Sequence, residues 1–229
     1  MKNLVLSFAL VLLCAAGVRG QSDHIQLELD PFNRLKVFDG LNVTLKPGTE
    51  DRVVISGEHM DQVQVVQKGK LLKLRMQIHK IFSGKRTQVV VYYKSNVQVI
   101  DANEESKIIW QEGQKLDRLE ARAQEGGTIY LNAELTQLVA KAVTGGNLFV
   151  EGTSQFQDIR ISTGGLMSAR DFVVEFTTVR VDAGGRAEIH STEYVNAEVR
   201  AGGTIRIYGD PLKMDEKTFI GGTIERVEK

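Results

Sequence analysis

Residues 179–189 read VRVDAGGRAEI, and residues 159–169 read IRISTGGLMSA. In both stretches apolar residues stand five and three positions ahead of a Gly-Gly pair, and again two and four positions behind it. Spacing of two puts each set on one face of a strand. Gly-Gly pairs recur at Gly126-Gly127, Gly145-Gly146, Gly164-Gly165, Gly184-Gly185, Gly202-Gly203 and Gly221-Gly222, and the same phrase surrounds the first five. Steps between first glycines are 19, 19, 20, 18 and 19 residues. A period this constant marks one structural unit repeated.

Each unit reads as strand, Gly-Gly bend, strand, polar turn. The inward positions ahead of the bends are Ala121 and Ala123, Ala140 and Ala142, Ile159 and Ile161, Val179 and Val181, Ala197 and Val199. Those behind are Ile129 and Leu131, Leu148 and Val150, Met167 and Ala169, Ala187 and Ile189, Ile205 and Ile207. Period 2, and not 3.6, gives helical solenoids little support. The competing arrangement is a meander of hairpins, but a meander leaves strand lengths free to vary, and here they do not. The expected fold is therefore all-β: a parallel β-solenoid, or β-helix, of coils of about 19 residues. A glycine at each corner supplies positive φ, or room for the coil stacked ~4.8 Å away. Residues 97–110 look like a degenerate coil with Glu105-Ser106 at the bend, and the last unit, from Lys217, ends in charges that suit a cap.

Residues 21–94 carry strand patterns without Gly pairs, including Ile25-Leu27-Leu29, Leu41-Val43-Leu45 and Val89–Tyr93, with turn signals at Asp39-Gly40, Lys46-Pro47-Gly48 and Lys68-Gly69-Lys70. This half is expected to be β but irregular, continuing into the regular coils of 95–229 within a single domain spanning 21–229. Residues 1–20 read as a secretory signal peptide: Lys2, then an apolar run from Leu4 to Ala16 too short to span a bilayer, then a cut after Gly17 or Gly20. Its removal takes away the one cysteine, Cys14, and leaves a formal charge of −2. That balance excludes bulk affinity for nucleic acid. No later segment has membrane-spanning length, so the expected location is secreted, periplasmic or on the outer cell surface.

Three segments and the Gly-Gly tail carry a resemblance: FNRLKVFDGLNVTL at 32–45, VVISGEH at 53–59, GKLLKLRM at 69–76. Their order after a signal peptide resembles the secreted bacterial "putative auto-transporter adhesin, head GIN domain" proteins found in Bacteroidetes. The resemblance implies a right-handed parallel solenoid, a non-enzymatic adhesin-like role, and no catalytic residue to carry over.

The residues themselves point the same way. His24, His59, His79 and His190 have no second ligand at metal-binding spacing, there is no G-x-S-x-G elbow, and no phosphate loop occurs. No cofactor or metal is expected. Four positions ahead of the first glycines stand Arg122, Lys141, Arg160, Arg180, Glu198 and Lys217, pointing outward as a basic ladder broken once. Neutralisation by Glu120, Asp158 and Asp182 is one explanation; a stripe that grips an anionic polysaccharide is the other. Tyr130 and Phe149 fall between inward positions, so they are expected to stack on the outside, either holding sugar rings or lying under a loop or partner. The leading reading is a non-enzymatic secreted or envelope scaffold that binds a polysaccharide or a cell-surface protein. A carbohydrate-active enzyme on a β-helix and a self-assembling structural protein are the alternatives; a homo-oligomer fits the latter.

Overall fold

The structure is a computed structural model that describes residues 24–77, 84–94 and 96–227. The signal-peptide segment and His79 lie outside the described residues. Among the described residues the elements are sixteen strands and two 3-10 turns: β1 (His24–Glu28), β2 (Arg34–Val37), β3 (Asn42–Pro47), β4 (Arg52–Gly57), β5 (Val63–Lys68), β6 (Leu71–Met76), β7 (Thr87–Tyr93), β8 (Val99–Ala102), β9 (Lys107–Gln124), β10 (Thr128–Val143), β11 (Asn147–Ser162), β12 (Leu166–Asp182), β13 (Arg186–Arg200), β14 (Thr204–Tyr208), β15 (Lys213–Thr218) and β16 (Thr223–Arg226). From β9 onward every pairing is parallel and in register with the repeat, so that Ile129 pairs with Leu148 and Ala140 with Ile159. The expected β-solenoid is what forms.

Each long strand is a coil and not a straight ribbon. Residue 128 pairs with 147, and residue 143 is only four positions from 147, so β10 must fold back on itself. Breaks in the ladder locate the bends. The register shifts between Leu131 and Ala133, and Thr136 is unpaired between Leu135 and Gln137. A coil therefore has a first run (128–131), a short middle run (133–135) and a last run (137–143). The sequence reading placed a polar turn where the middle run lies. Its alternate residues are in fact buried: Ala133 and Leu135, then Ser154, then Phe172 and Val174. Two of these positions have lost their apolar side chains, to Ser154 and to Gly152, and this hides the run from a hydrophobicity pattern.

The corners explain the glycines. At Gln124–Gly127 the amide of Gly127 donates to the Gln124 carbonyl at 2.8 Å, and the two central residues, Glu125 and Gly126, have φ of 51° and 77°. That is a type I′ turn. The same turn occurs at Glu104-Glu105 and at Asp39-Gly40, so Glu105-Ser106 does stand at the Gly-pair position. The two glycines have separate tasks. A Cβ on the first, at Gly145, Gly164, Gly184, Gly202 or Gly221, would meet nothing, so positive φ alone selects it. A Cβ on the second would strike the neighbouring coil: Ala123 at Gly146, Ala142 at Gly165, Ile161 at Gly185.

Two long sheets result. The first-run sheet is ordered β1-β4-β7-β3, followed by the first runs of β9 to β13, then β14 and β16. In the last-run sheet β5, β6, β2 and β8 precede the last runs of β9 to β13, and β15 closes it. The irregular half thus supplies the base of the same column, but chain order and stacking order differ. The β2–β3 coil lies between β6–β7 below and β8–β9 above. Antiparallel β1, β4 and β5 close the base. All twenty inward residues named above are buried. Trp110 fills the core near the base and donates its indole N–H to the Tyr93 hydroxyl at 2.9 Å, an edge-on pair at 84°.

Candidate functional site

The outer face of the last-run sheet repeats in three columns. Register pairing aligns Arg118, Gln137, Phe156, Phe176, Tyr194 and Lys213. Next to them run Glu120, Val139, Asp158, Thr178, Asn196 and Asp215, and then the ladder Arg122, Lys141, Arg160, Arg180, Glu198 and Lys217. The ladder is therefore a physical column, with Glu198 inside it.

Its charges are not equivalent. Arg122 is held by Glu120 at 2.6 Å. Arg180 is held by Glu198 at 3.0 Å, which also accepts from Arg200. The Arg180 hydrogen bond, helped by Arg200, keeps the Glu198 carboxyl below the usual carboxylate range despite its desolvation. Arg160 meets Asp158 only at 3.7 Å and leaves 70% of its side chain exposed. Lys141 is exposed, and among the described residues it has no ion-pair partner. Repulsion within the column is thus relieved by close carboxylates at Arg122 and Arg180, and less so at Lys141 and Arg160.

The first of the three columns was not singled out in the sequence. Phe156 and Phe176 are stacked at 5.3 Å and 22°. Parallel rings at that separation must be offset, which leaves part of each ring uncovered; the two residues are 43% and 38% exposed. Tyr194 continues the column. Its hydroxyl donates to Asp215 at 2.6 Å, a bond that raises the phenol pKa and keeps the donor protonated. A cleft of about 330 Å³ follows Gln137, Phe156, Phe176 and Tyr194 and reaches Asp158 and Thr178. A second, of about 190 Å³, runs from Asp158 and Thr178 to Arg160, Arg180, Asn196 and Glu198. Sharing Asp158 and Thr178, they form one groove that crosses the sheet from aromatic to basic column. The signal was available: Phe156, Phe176 and Tyr194 each stand eight positions ahead of a first glycine.

Tyr130 and Phe149 stack at 4.9 Å and 10°, half-buried, with the Lys107 ammonium 5.9 Å from the Tyr130 ring. They belong to the first-run sheet, so they and the basic ladder do not share a surface. Lys217 lies in β15, beyond the groove. Among the described residues no group of three or more His, Cys, Asp or Glu could hold a metal ion, and no helix is long and apolar enough to cross a membrane.

A family model described as "Putative auto-transporter adhesin, head GIN domain" matches residues 31–211. Among solved structures, a "putative adhesin" from Bacteroides fragilis is 19% identical, with 89% of this chain and 96% of that chain aligned at a TM-score of 0.81. A "putative adhesin" from Parabacteroides merdae is also 19% identical, with 90% and 95% covered and a TM-score of 0.68. A "putative lipid binding protein" from Parabacteroides distasonis is 16% identical, with 91% and 98% covered and a TM-score of 0.65. At these identities the likeness speaks for the fold. No curated protein matches the chain.

Proposed function

The chain belongs to the "Putative auto-transporter adhesin, head GIN domain" family, and from that premise we propose that it is a non-enzymatic binding scaffold of the secreted or cell-envelope compartment whose working surface is the last-run sheet. The observation that carries this is the groove joining Phe156 and Phe176 to Asp158, Thr178 and Asn196. Partly uncovered rings beside hydrogen-bonding side chains, repeated from coil to coil, suit an extended chain of sugars lying on a flat face. Apolar ring contacts favour the C–H face of a pyranose, and the amide, hydroxyl and carboxylate groups address its hydroxyls.

Within this groove Glu198 is unsuited to the acid role in carbohydrate cleavage. Asp158 and Glu198 both line it, but Glu198 is pinned by two arginines and holds no proton to give at neutral pH. A glycosidase needs one carboxyl of the pair raised, not lowered.

Binding of the purified protein to a glycan array, compared with the Phe156→Ala, Phe176→Ala double variant, tests the proposal. Glycan binding that the double variant loses supports it. Glycan binding that survives both substitutions, or no binding at all, discards this face as the working surface.

A further inference from the structure

Along the basic column that borders the groove, the cations without a close carboxylate are Lys141 and Arg160, Lys217 lying beyond the groove. Arg122 and Arg180 are engaged by Glu120 and Glu198, whereas Arg160 is loosely paired and mostly exposed. Lys141 is exposed on the neighbouring coil, in register with Arg160. Phe156 lies on the same strand as Arg160, four residues before it, so about 13 Å separates their Cα atoms along the strand. Asp158 sits between them. The other end of the groove is lined by Asn196 and Glu198 on one coil, and Asp215 stands in register with Asn196 on the next.

Resting on the proposed glycan-binding role, we propose that the groove selects an anionic pyranose chain, with a sugar ring against the Phe156–Phe176 stack and an acidic substituent at the Lys141–Arg160 pair. Arg160 offers a planar fork that matches a carboxylate or sulfate, and Lys141 adds a second cation one coil spacing away. The basic ladder therefore does not act as a uniform stripe. Of its five cations, two read the ligand, two are held by the protein's own carboxylates, and Lys217 lies beyond the groove.

Calorimetry with three oligomers of one length tests this: an oligogalacturonate, the same oligomer with its carboxyls reduced, and a sulfated galactan oligomer. The native protein should bind at least one anionic oligomer about tenfold more tightly than the neutral one. The anionic preference tells carboxylate from sulfate. The Lys141→Gln, Arg160→Gln double variant should lose that preference and keep the neutral affinity; Arg122→Gln should keep both. Equal affinity for all three, or equal losses in the double variant and Arg122→Gln, overturns the inference while leaving the glycan-binding role standing. Absence of binding to every oligomer overturns both.

Discussion

The carbonyl oxygen of Ala123 occupies the space that a Cβ on Gly146 would need. Gly145, its neighbour, has φ of 73° and open space around its Cα. Two alanine substitutions one residue apart should therefore differ sharply. Gly145→Ala places an L side chain in the left-handed region and costs about 1–2 kcal/mol. Gly146→Ala must push two coils apart against their ladder, and should cost more than ~4 kcal/mol or prevent folding. Denaturant unfolding of the two variants decides it; equal losses would mean that the glycine pair serves backbone conformation alone.

Phe156 and Phe176 should matter more to binding than to stability. Their stack is worth about 0.5–1.5 kcal/mol beyond area burial, and both rings are already partly exposed. Each alanine variant should stay folded, with an unchanged far-UV spectrum, while glycan affinity falls about tenfold or more. A variant that unfolds at room temperature would mark the column as structural.

How much of this was legible in the chain depends on which pairings are local. The corners and the alternating core were readable, because glycine pairs and period-2 apolar positions recur within each coil, and Glu105-Ser106 fits the same phase. The middle run was not, because Gly152 and Ser154 replace apolar residues at its turns. The base was not, because β8 stacks on β2 across some sixty residues of chain, and no local pattern encodes an order in which a coil is inserted between two others. The aromatic column had a phase but only three aromatic members; Gln137 and Arg118 hold the same position on the two coils before them. Tyr130 and Lys141 both lie in β10, and the coil bends put them on different sheets.

Glu198→Gln should convert the groove. The carboxylate holds Arg180 at 3.0 Å and also engages Arg200, so its removal frees two guanidinium groups at the acidic end. Affinity for an oligogalacturonate should rise several-fold, and the rise should shrink with added salt, as exposed charges are screened beyond ~10 Å at 0.1 M. An unchanged affinity would place the ligand away from this end.

Glu104 gives the pH prediction. Burial, then its hydrogen bond with Asp39, then the charges of Asp39 and Glu125 raise its pKa. A carboxyl raised in the folded chain binds its proton more tightly there than when unfolded. Below the unfolded value of about 4.3 both states are protonated and nothing is lost. As pH rises through the raised value, ionisation opposes folding. Glu104→Gln should thus melt above the native protein at pH 7 and lose that advantage below about pH 4. A variant that melts lower at pH 7 would show that the ionised carboxylate stabilises the corner.

The far end of the column carries charges where its core should be. Glu216 pairs in register with buried Ala197, and Arg226 with buried Ile207, so both occupy inward columns of the final turns. They meet each other at 3.9 Å, across the end of the apolar interior. In the same final turns Leu212 and Ile220 are more than 80% exposed, and among the described residues no further strand pairs with the outer edge of β15 or β16. An open edge flanked by apolar side chains recruits another chain, and inward-pointing charge is a known deterrent. An exposed ion pair contributes little to stability, about 0–1 kcal/mol, so its main effect here is on association. Replacing both with valine should leave the melting temperature within a few degrees and yield dimers or larger species whose fraction grows with concentration. Analytical ultracentrifugation at several concentrations measures this. A double variant as monomeric as the native chain would mean that the edges are protected by their twist, not by Glu216 and Arg226.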